Sequence, residues 1–169
     1  YQTDSRILTT PVIDIEDNIY LTTGGYLYKF DNNGTVLNKI SIPSGLLSTP
    51  LLASNNTVYL CSGSNLYEIN ESVSPKIIFS GNSKLFIPTI DEGLIYMTSY
   101  DGTVYAIHTG TNADLADSPW PKFQRDLKNT GSLQEELPVT KSLTLTSPNG
   151  GETWETGTEQ EITWNSDNV

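Results

Sequence analysis

Residues 18–30, NIYLTTGGYLYKF, spell out one strand, a turn and a second strand. Ile19-Tyr20-Leu21-Thr22 is a run of β-branched and aromatic residues, the composition that suits a pleated, half-buried strand. Gly24-Gly25 supplies the positive φ of a tight hairpin turn, and Tyr26-Leu27-Tyr28-Lys29-Phe30 carries the chain back. The phrase returns as TVYLCSGSNLYEI at 57–69 and as LIYMTSYDGTVYAI at 94–107. Its turn is rewritten there as Gly63-Ser64-Asn65 and as Asp101-Gly102.

The repetition extends outward from the hairpin. Pro11, Pro50 and Pro88 are spaced by 39 and 38, Tyr20, Tyr59 and Tyr96 by 39 and 37, and Tyr28, Tyr67 and Tyr105 by 39 and 38. Three markers keep one period, which defines repeats near 8–46, 47–84 and 85–124. A further turn at Asp31-Asn32-Asn33-Gly34 leads into TVLNKISI, so each repeat is expected to form about four short antiparallel strands. No segment sustains a helical period. The fold class expected is all-β, and four-stranded units at a period near forty predict three propeller-type blades, a partial β-propeller. Further blades are expected upstream of Tyr1, or copies of the chain complete a ring.

Composition fits thin sheets rather than a thick core: 36% of the residues are hydrophobic. The formal net charge is −11, and residues 133–169, with seven acids and one lysine, carry −6 of it. So acidic a surface repels phosphate, which argues against nucleic acid and anionic membranes as partners. No apolar run approaches the length of a membrane span, and no signal peptide is read. The chain begins at Tyr1 and stops in mid-pattern at Val169, and is expected to be a piece of something longer.

The third repeat, P-x-I-D … I-Y-x-T-S-x-D-G-x-V-Y-A-I, resembles the pyrroloquinoline-quinone-type (PQQ-like) β-propeller repeat. Its continuation, SPWPKFQRDLKNTGS at 118–132, resembles a segment that accompanies the first or last blade of bacterial secreted propellers of that class. The resemblance covers roughly 8–132, so 1–132 is expected to be the partial propeller. Residues 37–40 and 77–79 stand where that family ends its repeat on Gly-x-x-x-Trp. The quinone dehydrogenases of the class use a vicinal disulfide, calcium ligands and a catalytic Asp in an eight-bladed ring. With Cys61 as the one cysteine that disulfide cannot form, and the resemblance implies no cofactor here.

A second resemblance starts at Leu143. LTLTSPNGGETWETGTEQEITWNS is similar to the opening of an immunoglobulin-like β-sandwich of the Ser/Thr-rich, cell-wall-associated kind appended to bacterial secreted proteins. The match rests on Ser147-Pro148-Asn149-Gly150-Gly151-Glu152-Thr153-Trp154 and Ile162-Thr163-Trp164. About two of the roughly seven strands of such a sandwich fit in 143–169. The segment 133–142, with Pro138, is expected to be a linker.

The residue types that carry chemistry are sparse. His108 is the single histidine and closes a predicted strand, where a structural or solvated role is expected. Cys61 occupies the position of Thr22 and Thr98 in the sister hairpins and is read as a small buried residue. There is no Gly-x-Ser-x-Gly elbow, no phosphate loop and no zinc spacing. Asp31-Asn32-Asn33-Gly34 lacks the acids of a calcium loop and is read as a turn; Asp14, Asp17, Asp91 and Glu92 are read as solvated blade corners. The recurrent tyrosines are read as packing between blades, and Trp120, Trp154 and Trp164 as closure or sandwich-core residues. Sequons at Asn33, Asn55 and Asn70 matter only in a glycosylating host.

No catalytic, cofactor or metal residue is therefore expected. The function expected is a non-catalytic interaction or spacer module of a larger bacterial protein, extracellular, at the cell surface or periplasmic. A protein or a cell-surface glycan is the expected partner, with no membrane insertion. The rivals are the propeller part of a secreted hydrolase or protease and a surface protein that self-associates through exposed strand edges.

Overall fold

The first two copies of the hairpin phrase fold as the middle pair of a four-stranded antiparallel sheet, and the third as two of three strands. The structure is a computed structural model that describes residues 1–43, 46–70, 74–133, 142–148 and 150–167. Among these the chain is all-β, with no helix. The first sheet has the order β1 (Val12–Ile13), β2 (Ile19–Thr22), β3 (Tyr26–Phe30), β4 (Val36–Ser41). The second has the order β5 (Leu51–Leu52), β6 (Val58–Ser62), β7 (Asn65–Ile69), β8 (Lys76–Ser80). The third has three strands, β9 (Thr89–Asp91), β10 (Leu94–Thr98) and β11 (Val104–His108), with β10 in the middle. The hairpin register is the same throughout: Tyr20 faces Lys29, Tyr59 faces Glu68 and Tyr96 faces Ala106. Asn65, expected in a turn, is the first residue of β7 and pairs with Ser62, so Gly63 and Ser64 alone make that turn.

The period-two alternation of strand side chains explains how the sheets associate. Along β6, Val58 and Leu60 point into a core shared with Tyr20, Leu27 and Val12 of the first sheet. Tyr59 and Cys61 point the other way, into a core shared with Ile90, Ile95 and Met97 of the third. The middle sheet is thus buried on both faces, which is why all five residues of β6 are buried. A strand covered on both sides reads as a continuous apolar run, as Val-Tyr-Leu-Cys does. Of the recurrent tyrosines, Tyr20 and Tyr67 lie in the first core, Tyr59 lies in the second with Tyr105 packed against it, and Tyr28 is fully buried outside both, whereas Tyr96 is 38% exposed and does not pack between sheets.

The third repeat departs from the expected four strands. Beyond His108 the chain turns at Gly110, whose φ is +79°, and residues 111–121 run back along the short first strands as a strap. The Ala113 carbonyl accepts from Gly93 N–H at 3.0 Å, and the Asp114 carbonyl from Ser54 N–H at 2.8 Å. Ala116 N–H donates to Leu52 O at 2.9 Å, Leu52 N–H to Pro121 O at 2.8 Å and Ile13 N–H to Trp120 O at 2.7 Å. The stretch therefore satisfies backbone groups of β1 and β5, which otherwise face outward, and is not available as a fourth strand on β11. Lys122, at the end of the strap, is buried, and its ammonium donates to Phe123 O, Asp126 O and Asn129 Oδ1 at 2.9, 3.1 and 2.6 Å. This cage is the structural use of the KFQRDLKN stretch.

Gly93 anchors the strap and tests its importance. Its φ is +76°, and an added Cβ would run into the Thr111 carbonyl oxygen. Gly102, at φ +85°, has open space around the same position. Gly102→Ala should cost about 1 kcal/mol from the left-handed backbone alone. Gly93→Ala should cost about twice that, since the strap must also move. Urea unfolding of the two variants side by side measures the difference, and equal losses would show that the strap yields freely.

The chain divides into two units, Tyr1–Leu133 and Gln134–Val169. In the second, β12 (Ser142–Ser147) pairs antiparallel with β13 (Thr163–Asp167), with a register shift between Leu145 and Ser147. Of the linker expected at 133–142, residues 134–141 lie outside the described residues, and Ser142 already belongs to β12. Trp154 and Trp164, expected in a sandwich core, are 45% and 57% exposed. A two-stranded ladder supplies no second layer to cover them.

Candidate functional site

Between the first and second sheets, at the end that carries the β1–β2 and β5–β6 turns, lies a cleft of about 670 Å³. One lip is built by Asp14. Its Oδ1 accepts the N–H groups of Glu16 and Asn18 at 3.0 and 2.8 Å, and its Oδ2 takes the Asn18 amide at 3.0 Å. A carboxylate that accepts local N–H bonds fixes a turn better than a hydroxyl or an apolar side chain can. Lys29 reaches the same group from β3, its Nζ 3.6 Å from Asp14 Oδ2 and 5.2 Å from the centre of the Tyr20 ring. The strand register explains this placement, because Lys29 stands directly opposite Tyr20. Burial pushes the Asp14 carboxyl up, but the Asn18 side chain and N–H, Lys29 and the Tyr20 hydroxyl together hold it below the ordinary aspartate value.

The other lip comes from Ser54, Asn55 and Asn56, with Asn70 beside them. Asn56 sits in the left-handed region at φ +61°, which asparagine tolerates. Thr57 ties down both neighbouring amides: its N–H donates to Asn55 Oδ1 at 3.2 Å and its hydroxyl to Asn70 Oδ1 at 3.0 Å. Tyr20, Leu52 and Val58 form the apolar floor, and Ala116, Asp117 and Ser118 of the strap form the end wall. Ser118 is held by its own hydroxyl, which donates to Ile13 O at 2.8 Å.

The lining combines one cation with three carboxylates (Asp14, Glu16 and Asp117), several amides and hydroxyls, and a tyrosine floor. Donors and acceptors line the cleft together with apolar side chains, a combination suited to a neutral, polyhydroxylated ligand and unfavourable to an anion.

The residues singled out in the sequence are scattered. Of the four corner acids only Asp14 lines the cleft. Cys61 is buried in the second core with its Sγ 3.9 Å from Met97 Sδ, and burial pushes its thiol up to about 12. A thiol held neutral in an apolar core is no nucleophile. His108 lies at the end of β11, in the third sheet, where its Nδ1 accepts the Gly110 N–H at 2.9 Å. Asp31 spends its carboxylate on the N–H groups of Asn33 and Thr35, at 3.0 and 2.7 Å, within its own turn. Among the described residues no group of three or more His, Cys, Asp or Glu side chains gathers around a point where a metal ion could sit. The sequon at Asn70 runs into residues outside those described.

Lys29, Asn18, Asn55 and Asn70 were not foreseen. The signal that could have found them is the broken period: Pro11 to Tyr20 and Pro50 to Tyr59 span nine positions, but Pro88 to Tyr96 spans eight. The first two corners are each one residue longer than the third, and those two corners form the lips. Lys29 is also a departure from the repeat, since Glu68 and Ala106 occupy its position in the sister hairpins. The site belongs to an all-β chain of stacked antiparallel sheets. No protein-family model matches this chain, and no curated protein matches it.

Proposed function

We propose that this chain is a non-catalytic interaction module of a larger secreted or cell-surface bacterial protein. In this reading its three sheets are PQQ-like propeller-type blades and its second unit begins an immunoglobulin-like sandwich. The resemblances of 8–132 and 143–166 support both assignments. The observation that carries the function is the cleft. Its polar groups are fixed by turn and register at the mouth of a rigid double-sided core, while the chain's thiol and imidazole lie elsewhere. Rigid sheets presenting loop-borne polar groups are the usual construction of a binding surface. The ligand class is a cell-surface glycan, whose hydroxyls can pair with both the donors and the acceptors of the lining.

The test is a glycan array probed with the labelled full chain, followed by titration calorimetry of any hit. Lys29→Ala should weaken a genuine cleft ligand about tenfold, the equivalent of one charge-assisted hydrogen bond. Failure to bind any glycan, or binding that Lys29→Ala leaves untouched, would overturn the cleft reading. Turnover of a bound glycan that a single side-chain change abolishes would overturn the non-catalytic one.

A further inference from the structure

The outer edge of the third sheet differs from its two counterparts. In the first sheet β4 pairs along β3, and in the second β8 pairs along β7. In the third, β11 stands at the edge of the sheet and no fourth strand pairs with it among the described residues. The phase of the ladder shows what this edge presents. Thr109 N–H donates to Gly93 O and Ser99 N–H to Thr103 O, each at 2.9–3.0 Å, which makes Ile95–Ile107 and Met97–Tyr105 the bond-exchanging pairs. Val104, Ala106 and His108 therefore turn their N–H and C=O groups away from β10, outward along the edge.

Edge strands are normally guarded by lysine, proline or a bulge. The two sister edges are guarded: β4 carries Lys39 and a register shift against β3, and β8 carries Lys76 and a shift against β7. β11 has neither device. Its sequence, Val-Tyr-Ala-Ile-His, holds no lysine, acid or proline, and its five pairs with β10 run without interruption. Val104 is 70% exposed, whereas Leu66, at the same place in the second sheet, is wholly buried.

We propose that the β11 edge docks the same edge of a second copy of this chain, forming a two-fold dimer through antiparallel β11–β11 pairing. The strand is self-complementary about Ala106. A two-fold axis there sets Ala106 against its counterpart, Val104 against His108 and Tyr105 against Ile107. The three pairs formed by Val104, Ala106 and His108 are the ones whose backbone groups point outward, so each exchanges two hydrogen bonds. Tyr105 opposite Ile107 is an aromatic–β-branched pair on the inner face, a favourable combination, and no like charges meet. The closed two-fold arrangement consumes both edges and stops there. This inference is independent of the cleft: β11 lies on the third sheet, and no residue of β11 lines the cleft between the first and second.

Sedimentation of the full chain, over the concentrations at which it stays soluble, should show a concentration-dependent monomer–dimer equilibrium. Ala106→Pro removes an outward N–H without touching a bond to β10, and should leave a monomer at concentrations where the parent chain is dimeric. Val104→Lys, which adds the guard its sister edges have, should do the same if Ala106→Pro perturbs the fold. Circular dichroism and melting temperature check that each variant is folded. A parent chain that is monomeric throughout overturns the proposal. So does a dimer that survives in either folded variant, since it would be built on another surface.

Discussion

Leu60→Ala should destabilise the first unit by about 3 kcal/mol and lower its melting temperature by about 6–12 °C. Leu60 is fully buried in the core between the first and second sheets, among Val12, Leu27, Leu52 and Ile69. Truncation removes its buried methyl groups from an apolar environment and leaves a cavity. That cavity has rigid walls, because β6 cannot shift toward the first sheet without opening the core on its other face. Sites that relax poorly lie at the costly end of the leucine-to-alanine range. Leu37→Ala, on half-exposed β4, is the control and should fall within about 0.5 kcal/mol of the parent. Urea unfolding should show a lower midpoint for Leu60→Ala at an unchanged slope. A loss no larger than that of Leu37→Ala would mean that the two sheets do not share a fixed core.

Much of this architecture is legible in the sequence because it is local. A hairpin is written in adjacent residues: the apolar run, Gly24-Gly25 or Asp101-Gly102, and the returning run fix strands, turn and register together. Alternation in Ile-Tyr-Leu-Thr then assigns faces, so the packing role of Tyr20 and Tyr59 follows, while Tyr96 on the same face of the third sheet is exposed. The third repeat misleads because its missing strand is decided by a competition. Residues 111–121 hold no alternating β-branched run, and the unpaired edges of β1 and β5, sixty residues and more away, capture them by backbone hydrogen bonds that no side-chain pattern announces. The cleft is harder still. Asp14 and Lys29 come together through the register of the first sheet, but Asn70 joins them only because the second sheet stacks on the first, and stacking is a property of the whole unit. The two tryptophans of the second unit show the converse. Alternation in Leu-Thr-Leu-Thr is enough to pair β12 with β13, but covering an exposed ring needs a layer that local pattern cannot supply.

Cys61 lies one residue beyond Leu60, on the opposite face of the same strand, and it makes alkaline stability diagnostic. In the folded chain burial pushes its thiol from an ordinary value near 9 up to about 12. The folded state therefore keeps its proton over a range in which the unfolded state has lost it. Wherever the unfolded state binds fewer protons, stability falls as pH rises. The contribution of Cys61 is thus fully present below about pH 9 and is lost progressively as pH climbs toward 12. The steepest slope is about 1.4 kcal/mol per pH unit, with an upper bound near 4 kcal/mol in all. Cys61→Ala deletes this term at the cost of a small cavity beside Met97, about 1.5 kcal/mol. The parent should be the more stable below pH 9, the two should cross near pH 10, and the variant should be the more stable above it. Tyr28 and Tyr59, both raised by burial, also make stability fall in alkali, but they do so equally in both proteins and cancel in the difference. Parallel stability curves from pH 7 to 11 would place Cys61 in contact with water, and with it the core between the second and third sheets. Curves that cross make the thiol a reporter of that core, because only a side chain sealed between two sheets can hold its proton so far into alkali.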